Sequence, residues 1–140
     1  MLRYHCHLAL WARFTVPQLV CHRTNLPARW SFVKGLVASS IYVAPISNTN
    51  ELHLHHVRST IPSLSIIEEW VASCDVGLRK PDPEFYFFAL RRAGVLPRQA
   101  IYIDDRPEMV DAGRSIGLKG VRFENSRQLD QDLQSIGLNL

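Results

Sequence analysis

Three groups of residues in this 140-residue chain have the types and spacing to do chemistry together. Ser47-Asn48 follows the β-rich run Ile41-Tyr42-Val43-Ala44-Pro45-Ile46. A hydroxyl and nearby backbone N–H groups at that point could hold a phosphate oxygen. Lys80 lies in Gly77-Leu78-Arg79-Lys80-Pro81-Asp82-Pro83, a proline-flanked loop from which an ammonium can be aimed at a dianion with little loss of freedom. Asp104-Asp105 ends the apolar run Ala100-Ile101-Tyr102-Ile103. Adjacent carboxylates repel unless a cation neutralises them, and hard oxygen ligands suit Mg²⁺. Alone, each group has an ordinary explanation: a helix-capping loop, a solvated lysine, a capping Asp beside a surface Asp. In sequence they form a hydroxyl, an ammonium and a carboxylate pair, the set that phosphoryl-transfer chemistry uses.

The elements that must position these groups are legible from about Trp30 onward. Trp30, Val33, Lys34, Leu36 and Val37 suit a short helix with one apolar face. Residues 41–46 read as a strand buried on both faces, with Pro45 tolerable near its end. Asn50 can cap a helix running to about Arg58. A short helix is expected over Ile66–Glu69 and a second strand over Trp70–Cys74. Asp82-Pro83-Glu84 combines a capping Asp, a proline at the first helical position and acid in the first turn; Gly94 closes the helix so started. Further strands are expected at 100–103 and 120–123, with helices from Pro107 to Gly117 and from Ser126 to Ile136. This alternation implies an α/β fold with a doubly wound parallel sheet of Rossmann type, whose ligand site forms at the carboxyl ends of the strands.

Composition bounds the function. The chain is 46% hydrophobic and 21% charged, and the length suits one domain with a real core. No apolar run approaches the roughly 18 residues of a membrane span. The pI of about 9.0 has an uneven source. All 13 acidic residues lie from Glu51 onward, whereas Arg3, Arg13, Arg23, Arg29 and Lys34 precede it, so residues 1–50 carry +5. With 11 basic residues against those 13, residues 51–140 carry −2. No Lys/Arg cluster with interleaved aromatics accompanies the charge, so neither nucleic acid nor membrane is expected as a partner. Cys6, Cys21 and Cys74 are odd in number and lack C-x-x-C spacing, which argues for reduced thiols in a cytoplasmic setting. His5, Cys6, His7, Cys21 and His22 have no standard zinc spacing.

The run ending Ser47-Asn48-Thr49-Asn50, then Gly77-Leu78-Arg79-Lys80-Pro81-Asp82-Pro83-Glu84-Phe85-Tyr86, then Ile101-Tyr102-Ile103-Asp104-Asp105 resembles three successive motifs of the haloacid dehalogenase-like (HAD) hydrolase superfamily. The resemblance covers residues 30–138, and the Ser-Asn-Thr-Asn form followed by His53 is similar to the branch of glucose-1-phosphate phosphatases. It implies Mg²⁺-dependent hydrolysis of a small phosphorylated metabolite through an aspartyl-phosphate. In that scheme Ser47 and Asn48 bind the phosphate, and Lys80 bridges phosphate and nucleophile. Asp104 binds Mg²⁺ and Asp105 completes or orients its water shell, while His53 could touch substrate. Met109 stands where relatives often place Asn or Asp, a departure that bears on the support of Lys80.

The family's first motif, an Asp-x-Asp pair on the first and central strand, is missing, because no Asp or Glu precedes Glu51. The expectation is therefore a core over 35–140 that lacks its central first strand and its cap, and that is catalytically inactive. Residues 1–34 form an atypical segment without clean periodicity, read first as the mark of a truncated or frame-shifted gene product. A catalytically dead phosphate- or partner-binding relative, or a transit peptide on a split enzyme, would account for it too. Unless residues 4–16 fill the empty slot, two rows of backbone donors and acceptors stay exposed, for a partner chain to cover or for aggregation to exploit.

Overall fold

The computed structural model describes residues 7–11, 35, 41–60, 67 and 69–138. In chain order its elements are β1 (His7–Trp11), β2 (Ala44–Asn48), α1 (Glu51–Thr60), β3 (Val71–Ala72), α2 (Ser73–Val76), α3 (Pro83–Ala93), a 3₁₀ turn (Pro97–Gln99), β4 (Ile101–Asp104), α4 (Pro107–Ser115), β5 (Lys119–Arg122) and α5 (Ser126–Ser135). Helices and parallel ladders alternate as the sequence predicts. β2 pairs in parallel with β3 through Ile46↔Val71 and Ser47↔Ala72, and β4 pairs in parallel with β5 from Ile101↔Lys119 to Asp104↔Arg122.

The sequence leaves open whether residues 4–16 fill the slot beside β2, and residues 7–11 do lie there. β1 lies beside β2 in register from His7↔Asn48 to Trp11↔Ala44, and it also approaches β4 without joining it in a ladder. Its direction is antiparallel, so the sheet around the site is mixed rather than wholly parallel. The physical reason is the demand of β2 itself: a buried strand needs its second row of N–H and C=O groups paired, and an antiparallel ladder satisfies them as well as a parallel one. Pro45 sits within β2 at a level where β3 has not yet begun, so it faces a single neighbouring strand.

Local signals explain most element ends. Asn50 Oδ1 accepts from the N–H of His53 at 2.9 Å, starting α1. Asp82 Oδ1 accepts from Glu84 N at 2.9 Å, and Pro83 opens α3. Gly94, at φ 64°, ends α3 by donating its N–H to carbonyls of the last turn. Asn125 caps α5 by accepting from Gln128 N at 2.9 Å. The strand expected over Trp70–Cys74 stops at Ala72, because Ser73 turns the chain into α2, which Gly77 closes at φ 70°. Of the helix expected over Ile66–Glu69, the described Ile67 and Glu69 are not helical. The helix expected around Trp30–Val37 lies outside the described residues, Gly35 apart.

The core sits between the strands and one face each of α3 and α4. α3 buries Phe85, Tyr86, Ala89, Leu90 and Ala93, a stripe at helical spacing. Against it stands β4, whose Ile101, Tyr102, Ile103 and Asp104 are all fully buried. Tyr86 and Tyr102 meet edge to face with centroids 5.1 Å apart, and Tyr86 OH donates to the carbonyl of Met109 at 3.0 Å, tying α3 to α4. α4 comes close to β4 because Gly113 has no side chain: a Cβ there would stand 2.9 Å from Cδ1 of Tyr102 and 3.2 Å from Leu118. Gly113→Ala should therefore push α4 off the Tyr102 ring and destabilise the fold by about 1–3 kcal/mol. Urea unfolding checks this; an unchanged or higher midpoint would mean that the ring is not held between the two helices.

Candidate functional site

β2 ends in Ser47, fully buried, and Asn48, half-buried. The chain then turns into α1, and this turn is fastened twice. Ser73 Oγ accepts from Thr49 N at 2.9 Å and donates to Thr49 O at 3.0 Å. Asn48 Oδ1 accepts from Lys80 N at 2.8 Å while its Nδ2 donates to Lys80 O, also at 2.8 Å. The lysine loop is thus joined to the end of β2 through main-chain atoms, before the lysine side chain does anything.

That side chain runs inward. Lys80 is 2% exposed, and its Nζ donates to Asp104 Oδ2 at 2.8 Å. The same oxygen accepts from Tyr102 OH at 2.7 Å, and Asp104 Oδ1 accepts from Arg106 N at 3.1 Å. Nζ also lies 5.8 Å from the centroid of the Tyr102 ring, within cation–π range. Tyr102 was legible in principle: two residues before Asp104 on one strand, it must share that residue's face. The departure at Met109 turns out to leave Lys80 supported, since Asn48 and Asp104 hold it at its two ends. Met109 itself is buried and contributes its carbonyl to Tyr86.

Burial and charge set the protonation of the site. Burial pushes the Asp104 carboxyl up, but the Lys80 ammonium and the hydrogen bonds from Lys80, Tyr102 and Arg106 outweigh it and hold the pKa at about 2. Burial pulls Lys80 down against the attraction of Asp104. Burial first, then the negative charge of Asp104, raises Tyr102, which therefore stays a neutral donor. The same two causes, burial and Asp104, raise half-buried Asp105.

The arrangement brings Asn48, Lys80 and Asp104 into one hydrogen-bonded chain, with Ser47 and Asp105 adjacent to it in sequence. His53 lies in the first turn of α1, where Asn50 Oδ1 accepts from its N–H. Ser47, Lys80 and Asp104 are covered, so an incoming group meets the half-exposed Asn48 and Asp105 first. A surface depression of about 410 Å³ bounded by Arg114, Gly120, Arg122, Gln128 and Ile136 shares no residue with the site.

A buried ammonium paired with a carboxylate, a strand-end hydroxyl and a second carboxyl thus lie at strand and loop ends of an α/β sheet. The chain belongs to the haloacid dehalogenase-like hydrolase family, whose sequence model matches residues 22–117. It is 45% identical over 78 residues to flavin mononucleotide hydrolase 1 of Arabidopsis thaliana, a chloroplast protein by its name, covering 55% of this chain and 32% of that one. It is 28% identical over 102 residues to glyceraldehyde 3-phosphate phosphatase of Methanopyrus kandleri, covering 72% of this chain and 40% of that enzyme. The chain thus spans about a third of the first of these curated relatives and two fifths of the second. The fold is similar to a HAD family enzyme of Bacteroides thetaiotaomicron solved with magnesium and inorganic phosphate, at TM-score 0.64 and 20% identity over 76% of this chain and 55% of the other. Among the described residues no helix is long and apolar enough to cross a membrane.

The pair has a pH signature. Asp104 has a folded pKa of about 2, below the roughly 3.9 of an unfolded aspartate, so its contribution to stability is complete well above pH 4 and is lost as pH falls toward 2. The unfolding free energy should therefore drop between about pH 5 and pH 2, with a shallower drop in Asp104→Asn. Identical pH profiles for the two proteins would show that Asp104 is not the group held down.

Proposed function

We propose that this chain is a phosphate-ester-binding domain on the HAD fold that does not itself turn its ligand over. The observation that carries this reading is the strand beside β2. His7-Leu8-Ala9-Leu10-Trp11 contains no carboxylate, and none stands anywhere before Glu51. An aspartyl-phosphate requires a carboxylate free to attack phosphorus. Asp104, the buried carboxylate nearest Lys80, is committed to that ammonium and to Tyr102. What remains is binding machinery: Ser47 at the strand end, Lys80 to offset the charge of a dianion, Asn48 bonded to the main chain of Lys80, and Asp105 on the accessible side. The ligand class is a small phosphate monoester, in keeping with relatives named as phosphatases of such compounds.

Mg²⁺ fits the donor set in a limited way. Burial first, then the negative charge of Asp104, holds the Asp105 pKa up, and that charge favours a cation beside the pair. Among the described residues no group of three His, Cys, Asp or Glu converges, so water and the phosphate itself would supply the other ligands. Asp105 and the Oδ1 side of Asp104 would hold the ion, since Oδ2 is already taken. Bound there, it would neutralise and polarise a phosphoryl oxygen. Lys80 meanwhile keeps its place on Asp104 and shares its charge with the ligand.

Titration with inorganic phosphate, followed by calorimetry with Mg²⁺ or with EDTA, tests the binding half. Phosphate should bind about tenfold more tightly with Mg²⁺, and Lys80→Met should weaken it by a further order of magnitude, about 1.4 kcal/mol per tenfold. Hydrolysis of p-nitrophenyl phosphate should not exceed the background of Asp104→Ala. A Mg²⁺-dependent rate that this substitution abolishes would refute the absence of turnover. No heat with phosphate under either condition would refute the binding reading.

A further inference from the structure

The side chain of Asn48 is directed at Lys80 rather than outward. Its carboxamide has one oxygen and two N–H groups, and it spends one of each on the two main-chain atoms of Lys80, at 2.8 Å apiece across 32 residues of sequence. Both bonds go to the backbone from which the lysine side chain springs. A lysine stem has four flexible carbons, so its ammonium can be aimed only if its root is fixed. At the other end Nζ reaches Asp104 Oδ2, 2.8 Å away. The loop offers a comparison within itself, because Ser73 clasps the N–H and C=O of Thr49 in the same reciprocal manner but touches nothing of Lys80.

We propose that Asn48 is a positioning residue: it acts on a bound phosphate through Lys80, by fixing the main chain that points the ammonium at Asp104, and not by contact with the phosphate. This deepens the phosphate-binding reading and rests on it. Asn48 then sets the geometry of the cation that neutralises the phosphate.

The test uses the full chain, two readouts and a matched control. In phosphate-free protein the buried Lys80 ammonium should give a slowly exchanging Nζ–H signal by ¹⁵N NMR. Asn48→Ala should broaden or remove that signal and weaken inorganic phosphate, titrated with Mg²⁺, by about tenfold, as expected for one charge-assisted interaction lost. Ser73→Ala, which breaks the neighbouring clasp, should leave the signal in place and phosphate affinity within about twofold, on the same scale. Asn48→Ser serves where Asn48→Ala does not fold. If the Nζ–H signal is untouched in the Asn48 variants while phosphate affinity falls, Asn48 contacts the ligand directly and the proposal is overturned. Equal effects of Ser73→Ala and Asn48→Ala on both readouts would overturn it too, by reducing the clasp to general loop stability. A wild type that binds no phosphate, yet loses its Nζ–H signal on Asn48→Ala, would sink the binding reading while the positioning of Lys80 stands.

Discussion

A lysine ammonium 2% exposed is tolerable only with a carboxylate against it, and the structure around the site follows from that constraint. Asp104 supplies the countercharge from the end of β4. Its two oxygens accept from Lys80, from Tyr102 and from the main chain of Arg106, so the pair is buried with its hydrogen bonds largely made. The groups beside the pair are packed and hydrogen-bonded in turn. Tyr102 stands between the edge of Tyr86 and the bare backbone of Gly113, and Asn48 pins the root of Lys80 to β2. The pair therefore couples three segments far apart in sequence, and the ends of β2 and β4 meet through it.

The strand that lies by β2 completes the backbone of this arrangement without completing its chemistry. β1 satisfies the open edge of β2, yet it runs antiparallel and its sequence brings no acid to the strand ends. Among the described residues Asp104 is the carboxylate that Lys80 Nζ meets, at 2.8 Å.

Much of this was legible in the residues. Asp82-Pro83, Asn50 and Gly94 mark element ends that the structure reproduces to within a residue or two, because capping and left-handed φ are local properties of short side chains and glycine. Ser47, Asn48, Lys80 and the Asp104-Asp105 pair were visible as strand-end and loop polar groups in an apolar chain. The direction of β1 was not, since the choice between parallel and antiparallel pairing depends on which edge is open in the folded sheet and not on the five residues that fill it. The work of Asn48 was hidden for a related reason: a carboxamide after a buried strand reads equally well as a ligand contact, a cap or a clasp. The structure shows the clasp, to the main chain of Lys80 32 residues on. Tyr102 was missed although its alternation with Asp104 was available, because aromatic residues in apolar strands are ordinarily core.

The central claim is that Lys80 and Asp104 act as one buried pair, and a thermodynamic cycle on unfolding free energy tests it most directly. Lys80→Met and Asp104→Leu should each destabilise by about 3–5 kcal/mol, since each leaves an uncompensated buried charge, whereas the double variant should recover most of that loss. Additive losses, with the double variant as unstable as the two singles combined, would contradict the pair and with it the geometry assigned to the site.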